Sequence, residues 1–340
     1  MSVDLFVDYL AEVSPEIDAK LHSYLEGVPE GSSLHRYLYG ILDEFISRGG
    51  KRVRPAMAML ACGATGGEPR TALASGCAIE VFHAAALIHD DIMDASNLRR
   101  EQRCAHILHG IPLAINAGDY ALGLVCTIVV RDPLLADSTK LAVLDVIGEM
   151  SARTVEGQAL DVGWVRDDVY TLTADDYLTM ALGKTGYYSG VAPLRVGGII
   201  AGATAQEARA LEGFGKNSSI AFQIQDDLLN ILGSERTMGK DYLSDVLEAK
   251  RTLMVIHCLA EAGPADRQRL VDLLRLGPEK DKERALEVVA MMQRYGSIDY
   301  ARTYARMLIM EARSYLAQLR ESDARKTLAS MADFFLERER

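Results

Sequence analysis

Apolar residues recur at intervals of three and four along almost the whole chain, the period of a helix buried on one face. Alternating patterns of the β type are hard to find. The periodicity predicts helices near residues 3–26, 34–48, 51–63, 70–95, 112–131, 138–164, 174–182, 185–203, 205–232, 243–262, 265–275, 281–293, 297–320 and 323–338. Several ends are legible. Gly49-Gly50 stops the second helix, Gly66-Gly67 precedes the fourth, and Thr173 stands where it can cap Ala174-Asp175-Asp176. Lys184-Thr185 marks a helix break. There is no low-complexity linker, short-period repeat or shift in composition, so the expectation is an all-α chain forming one domain over residues 1–340, a single large helical bundle.

Two segments, 70–91 and 205–232, are apolar nearly all round and belong at the centre of that bundle, which makes their few charges informative. A buried carboxylate is costly unless it is paired or bound to metal. In His89-Asp90-Asp91-Ile92-Met93-Asp94, the three aspartates fall within about 100° of one another on a helix. Such a face suits Mg²⁺, which takes one or two carboxylates together with substrate phosphates. Alone, it reads equally well as a solvated acidic helix end. Phe222-Gln223-Ile224-Gln225-Asp226-Asp227-Leu228-Leu229-Asn230 repeats the spacing, with Asn230 in the third acidic place and Gln223 on the same face. Two such faces predict a central cavity whose opposing walls hold metal ions bridged by a diphosphate.

Basic residues form a third group. Lys51 and Arg54 share a face in Gly49-Gly50-Lys51-Arg52-Val53-Arg54-Pro55, Arg99-Arg100 follow the first acidic motif, and Lys184, Lys240 and Lys250 come later. Each alone reads as a surface charge; together they are clamps for phosphate oxygens. Net charge is −11, from 37 basic and 48 acidic residues, which argues against a nucleic-acid partner. Five scattered cysteines with no CxxC pair suggest neither a disulfide framework nor a zinc site. The first residues carry Asp4, Asp8 and Glu12 where a signal peptide is basic and then apolar. No uncharged apolar run is expected to reach the length of a membrane span, so the reading is a soluble, cytoplasmic protein without stable membrane insertion.

GGKRVRP (49–55), HAAALIHDDIMDASNLRR (83–100), AGD (117–119), EGQALD (156–161), GKT (183–185), FQIQDDLLN (222–230) and GKDYLSDVLEAKRTL (239–253) resemble, in order, the motifs of the trans-isoprenyl diphosphate synthases. The resemblance implies the isoprenoid-synthase fold, a homodimer, and the 1'-4 condensation of isopentenyl diphosphate with an allylic diphosphate. It implies Mg²⁺, three ions per site with bound diphosphate, with Mn²⁺ able to substitute. Carried over by position, Asp90, Asp91, Asp94, Asp226 and Asp227 bind the metal. Arg99, Lys184, Thr185, Gln223, Lys240 and Lys250 surround the allylic diphosphate. Lys51, Arg54, His83 and Arg100 hold isopentenyl diphosphate, and Asp90, Asp91, Lys184 and Asp226 carry the chemistry. His83 lies seven residues before Asp90, on the same face.

Two departures stand out. Arg100-Glu101-Gln102-Arg103-Cys104-Ala105-His106 lacks the family's Gly and Pro-Thr, and Asn230 replaces an aspartate, keeping an acceptor while losing the charge. The resemblance implies that chain length is set beneath the first acidic motif, where in the family an aromatic side chain four or five places upstream is a floor that stops growth near fifteen carbons. Ala85 and Ala86 stand five and four residues before Asp90, which leaves Phe82 as the next candidate floor. A product of about twenty carbons or longer is expected, from one helical turn of about 5.4 Å per prenyl unit. Leu122, Val125 and Cys126 are candidates for the opposite wall. A terpene cyclase has no use for the isopentenyl group of residues, and a non-catalytic partner subunit no use for both acidic motifs. A di-iron bundle needs a second Glu-x-x-His beside Glu80–His83, and an inert scaffold leaves the acidic faces unexplained.

Overall fold

A computed structural model describes residues 4–100, 102–233, 242–277 and 281–337. In chain order the helices are α1 (Asp4–Ser23), α2 (Gly40–Ser47), α3 (Val53–Ala64), α4 (Leu73–Met93), α5 (Ala105–His109), α6 (Ile111–Val130), α7 (Asp137–Arg166) and α8 (Ala174–Ala181). They continue as α9 (Ala192–Ile200), α10 (Ala205–Leu232), α11 (Ser244–Leu247), α12 (Leu253–Glu261), α13 (Pro264–Arg275), α14 (Lys282–Arg294), α15 (Ser297–Leu316) and α16 (Asp323–Glu337). Wider π-type turns occupy His35–Tyr39 and Leu182–Val191. Among the described residues the β structure is one antiparallel ribbon, β1 (Leu98–Arg99) with β2 (Gln102–Arg103). The all-α expectation holds. By their contacts, the described residues of 1–149, 188–212 and 315–331 form one compact unit, and those of 150–187, 213–314 and 332–340 a second.

In the first unit α4 is the core helix, packed against α3 and α6, while α3 also packs on α9. Ile79, Val81, Phe82, Ala85 and Ile88 of α4 are all buried, and each large apolar side chain among them contributes about 1.5–3 kcal/mol. Two stretches are long and apolar enough to cross a membrane, though neither is uncharged: Pro69–Met93 carries Arg70, Glu80, Asp90 and Asp91, and Ile111–Val130 carries Asp119. Pro69–Met93 is 78% buried, as a core helix is, whereas Ile111–Val130 is 44% buried. The latter leaves Ile111, Ile115, Leu122 and Val130 exposed.

In the second unit α8 begins as expected. Thr173 and Asp176 form a reciprocal cap, the Asp176 amide donating to Thr173 Oγ1 at 3.3 Å and the Thr173 amide to Asp176 Oδ2 at 2.8 Å. The break expected at Lys184-Thr185 does not occur; the chain stays helical there with a wider turn, a feature that recurs at functional sites. The helix expected over 243–262 is divided instead. After α11 the Lys250 amide donates to the Asp245 carbonyl at 2.8 Å, Ala249 turns left-handed at φ 58°, and Thr252 Oγ1 caps the start of α12. Periodicity did not reveal this because both halves are apolar on compatible faces. At the break Arg251 turns inward and donates to the Val169 carbonyl at 2.8 Å and to that of Ala249.

Candidate active site

The first unit carries a cationic pocket. Gly49 and Gly50 take φ +83° and +154°, ending the α2 region and turning the chain toward Arg52. A side chain at Gly50 would come within 3.0 Å of the Arg100 guanidinium. Arg52 caps α3 in a left-handed conformation, φ 50°, which costs about 1–2 kcal/mol for a residue with a Cβ. Three bonds from its buried guanidinium offset that: to Asp18 at 2.6 Å, Glu80 at 3.2 Å and the Ile46 carbonyl at 2.8 Å. Arg54 lies 3.6 Å from Glu80, donates to Ser189 Oγ at 2.7 Å and sits over the Tyr188 ring at 4.7 Å. His83 stacks on the same ring, with centroids 5.6 Å apart, and Phe82 approaches it at 5.9 Å.

Arg52, Glu80, His83, Leu87 and Arg100 are among the residues lining a small pocket in this unit. His83 Nδ1 is buried and has no hydrogen-bond partner among the described residues. Burial, reinforced by Arg54 and Arg100, holds the His83 pKa well below the ordinary value, so the ring is neutral. Arg52 and Arg100 face Glu80 on this lining, and with Arg54 beside Glu80 and Asp18 on Arg52 the group carries one positive charge in excess.

At the end of α4, Asp91 is 1% exposed and receives Arg99 Nε at 2.6 Å. Arg99 also lies 3.6 Å from Asp90. The Cys104 thiol hydrogen-bonds to Asp91 as well, while Asp91 Oδ2 has no hydrogen-bond partner among the described residues. Burial raises the Asp91 pKa, and Arg99 opposes the rise. Leu98–Arg99 and Gln102–Arg103 pair as the β1–β2 ribbon at the altered loop, with Arg48 Nη1 donating to the Arg103 carbonyl at 2.9 Å. Glu101 lies outside the described residues. Arg99, expected on the allylic diphosphate, is thus engaged by the first acidic motif. Of the expected chain-length residues, Phe82 and Ala85 are buried and Ala86 is half-buried. Val125 is buried too, but Leu122 and Cys126 are exposed, so the proposed opposite wall reduces to Val125.

The second unit holds a pocket of different charge. Gly157, inside EGQALD on α7, lets that helix approach the GKT segment so closely that a Cβ would lie 2.0 Å from the Lys184 backbone nitrogen. Lys184 Nζ meets the buried Asp161 at 2.6 Å. Thr185 Oγ1 donates to Gln223 Oε1 at 2.7 Å, Gln223 Nε2 donates to Asp227 Oδ1 at 2.8 Å, and Tyr177 donates to Asp227 Oδ2 at 2.7 Å. Lys250 lies 2.8 Å from Glu248 and 3.5 Å from Asp245. Asp161, Lys184, Asp227, Asp245, Lys250 and Arg251 are among the residues lining a second pocket. Burial and the nearby Asp245 push the Asp227 carboxyl up to about 8, against the pull of its two hydrogen bonds.

With Asp227 ionised the three carboxylates on this lining match the three cations, and with its carboxyl protonated one cation is in excess. Three carboxyl groups on one lining favour a ligand that brings cations with it. Both oxygens of Asp227 already accept protein hydrogen bonds, the arrangement of a buried anchor, whereas Asp226 beside it is half-buried and outside the cavity lining. Among the described residues no three metal-ligating side chains converge on one point. Mg²⁺ does not need them, since phosphate oxygens and waters complete its shell, and Asp90, Asp94 and Asp226 are hard oxygen donors of the kind it takes.

Asn230 has a different place from the one its position in the motif suggests. Its amide donates to Ser244 Oγ at 2.8 Å and accepts from the Asp245 amide at 3.2 Å. It therefore brackets the segment that carries Asp245, donating to one of its residues and accepting from the next. Lys240 lies outside the described residues, and Lys51 sits exposed at the entrance to α3.

Sequence reasoning missed Arg52, Glu80, Cys104, Asp161, Tyr177, Tyr188, Asp245 and Arg251. Some had a signal. Glu80 is a carboxylate on an apolar helix, subject to the argument applied to the aspartates, and Asp161 closes the EGQALD run. Tyr177, Tyr188 and Cys104 had none, because their partners are distant in sequence.

The helical architecture is that of the all-α isoprenoid-synthase fold. The chain belongs to the polyprenyl synthetase family, whose model matches residues 35–292. It is 39% identical to a short chain isoprenyl diphosphate synthase of Methanothermobacter thermautotrophicus over 298 residues, 87% of this chain and 89% of that one. Its structure is similar to that of a geranylgeranyl pyrophosphate synthetase from Pyrococcus horikoshii, with a TM-score of 0.89 and 36% identity over 98% of both chains. It is also similar to a polyprenyl synthase from Caulobacter crescentus, solved with calcium and isoprenyl diphosphate, with a TM-score of 0.87 and 25% identity over 100% of this chain and 98% of that one.

Proposed function

We propose that the chain is a Mg²⁺-dependent trans-prenyltransferase, joining isopentenyl diphosphate 1'-4 to an allylic diphosphate and releasing a linear all-trans diphosphate of about twenty carbons or somewhat longer. The observation that carries this reading is the contrast between the two pockets. The one with excess guanidinium charge suits a substrate whose diphosphate stays intact and metal-free. The one lined by three carboxyl groups suits a diphosphate that arrives with metal ions. The geranylgeranyl synthetase among the similar structures supports the product size.

Lys51, Arg54, His83 and Arg100 hold isopentenyl diphosphate, the neutral His83 adding a hydrogen bond and the arginines the charge. Lys184, Thr185, Gln223, Lys240 and Lys250 surround the allylic diphosphate. Asp90, Asp94 and Asp226 would hold Mg²⁺, three ions per site with Mn²⁺ able to substitute, and the metal would supply charge stabilisation to a departing diphosphate. Asp91 and Asp227 hold the two acidic faces in shape through Arg99, Tyr177 and Gln223. Lys184 adds fixed positive charge where negative charge develops, and apolar helix faces keep water from the cation. The isopentenyl double bond then attacks, and the proton it loses leaves to the released diphosphate. Phe82 is the floor beneath Ala85 and Ala86 that sets chain length.

The chain works as one functional domain over 1–340, a reading supported by the span of the family match and by similarity along 98% of the Pyrococcus protein. It acts in the cytoplasm as a homodimer, and the exposed apolar side chains of α6 are the surface that pairing covers. Purified protein incubated with isopentenyl diphosphate and five-, ten- or fifteen-carbon allylic diphosphates, with Mg²⁺ or EDTA, tests the whole reading. Linear alcohols after dephosphorylation, formed only with metal, are expected. Cyclic hydrocarbons formed without isopentenyl diphosphate would move the protein to the terpene cyclases.

A further inference from the structure

Tyr177 lies outside the motifs read from the sequence, yet its side chain is fully buried and its hydroxyl ends a continuous line of three hydrogen bonds within the second unit. The line runs from Tyr177 to Asp227 at 2.7 Å, from Gln223 to the other oxygen of Asp227 at 2.8 Å, and from Thr185 to Gln223 at 2.7 Å. Each bond sets the next. A carboxylate gripped on both oxygens cannot turn about its own axis. The Gln223 amide must then point its NH₂ at Asp227, which leaves its carbonyl oxygen for the Thr185 hydroxyl. The Thr185 hydroxyl is held beside Lys184, whose ammonium is paired with Asp161.

Tyr177 is itself placed without slack. It lies in the first turn of α8, its amide donating to the Thr173 carbonyl at 3.2 Å, and Thr173 and Asp176 lock that turn with their reciprocal cap. Packing alone does not account for the hydroxyl. A phenylalanine fills the same apolar space without a polar group that needs a partner, and the partner here is a carboxylate that burial itself disfavours. A buried polar pair of this kind is retained for the geometry it imposes.

We infer that Tyr177 is a positioning residue for the allylic-diphosphate side of the site, acting through Asp227 and Gln223 on Thr185. The inference rests on the prenyltransferase reading for the identity of the ligand. Magnesium pyrophosphate serves as the probe of the same diphosphate group, read by calorimetry independently of turnover.

Three variants test it: Tyr177→Phe, Thr185→Val and the double variant. Tyr177→Phe is expected to raise the KM for the allylic diphosphate and the Kd for magnesium pyrophosphate about tenfold, the scale of a lost hydrogen bond to a charged group. The KM for isopentenyl diphosphate stays within about twofold, because Lys51, Arg54, His83 and Arg100 are untouched. Thr185→Val, at the other end of the line, has a similar effect. The double variant is no worse than about twice the poorer single one, since both act through one Gln223. A merely structural tyrosine would lower Tm and weaken both substrates alike.

Folded Tyr177→Phe protein that binds magnesium pyrophosphate and the allylic substrate as the parent does overturns the inference. So does full multiplication of the two single effects in the double variant. If the parent binds magnesium pyrophosphate but makes no prenyl product, the prenyltransferase reading falls while the calorimetric comparison still decides on Tyr177. A parent that binds neither overturns both.

Discussion

Replacing Gly157 by alanine adds one methyl group at the closest helix approach in the second unit. The new Cβ would stand 2.0 Å from the Lys184 nitrogen, 2.5 Å from the Gly183 carbonyl carbon and 2.7 Å from the Lys184 Cα. All three are backbone atoms, so no side chain can swing aside. To restore even a 3.0 Å approach the GKT segment must retreat by about 1 Å, and overpacking of this kind costs about 1–3 kcal/mol. The retreat carries Lys184 away from Asp161, its partner at 2.6 Å, and moves Thr185 relative to Gln223. A displacement of about 1 Å at a catalytic group lowers turnover about 100-fold. Gly148, on the same helix, is the control: a Cβ there meets nothing within 4 Å. Gly148→Ala removes the flexibility of a mid-helix glycine and should stabilise by about 1 kcal/mol with turnover unchanged. Urea denaturation and steady-state kinetics on both variants read the two effects. Gly157→Ala protein with parental stability and turnover would refute the claim that the α7–GKT contact sets Lys184.

Arg99→Ala leaves Asp91, 1% exposed, without its close cation; stability should drop by about 3 kcal/mol in urea melts, and a loss under about 1 kcal/mol would mean that Arg99 does not hold Asp91. His83, with a pKa depressed below 6.5 in the fold, binds fewer protons folded than unfolded. Its contribution to stability is therefore fully present above that value and is lost as pH falls below it. NMR of the imidazole in metal-free protein should show a neutral ring at pH 6.5, and a resonance titrating at or above that pH sinks the assignment. Phe82→Ala should lengthen the product by at least one five-carbon unit in chromatographic sizing; an unchanged product removes Phe82 as the floor.

Much of this protein is determined by local sequence. Helix positions follow from the spacing of apolar residues, and helix ends from residues with local effects, such as Gly49-Gly50 and the Thr173–Asp176 cap. The two acidic faces were also legible, because residues three and four apart on a helix share a side whatever surrounds them. Tertiary structure decided what those residues face. Asp90 and Asp91 are adjacent in sequence, yet Asp91 is buried under Arg99 while Asp90 is half-buried. Asp226 and Asp227 differ in the same way, and Asn230 is drawn to Ser244 and Asp245. At the α11–α12 break Arg251 reaches a carbonyl 82 residues away, and the first-unit pocket depends on Tyr188 lying beneath Arg54 and His83. Periodicity reports which side of a helix is apolar. It carries no information about which distant donor, ring or carboxylate arrives at that side, because those pairings are set by packing between segments far apart in the chain.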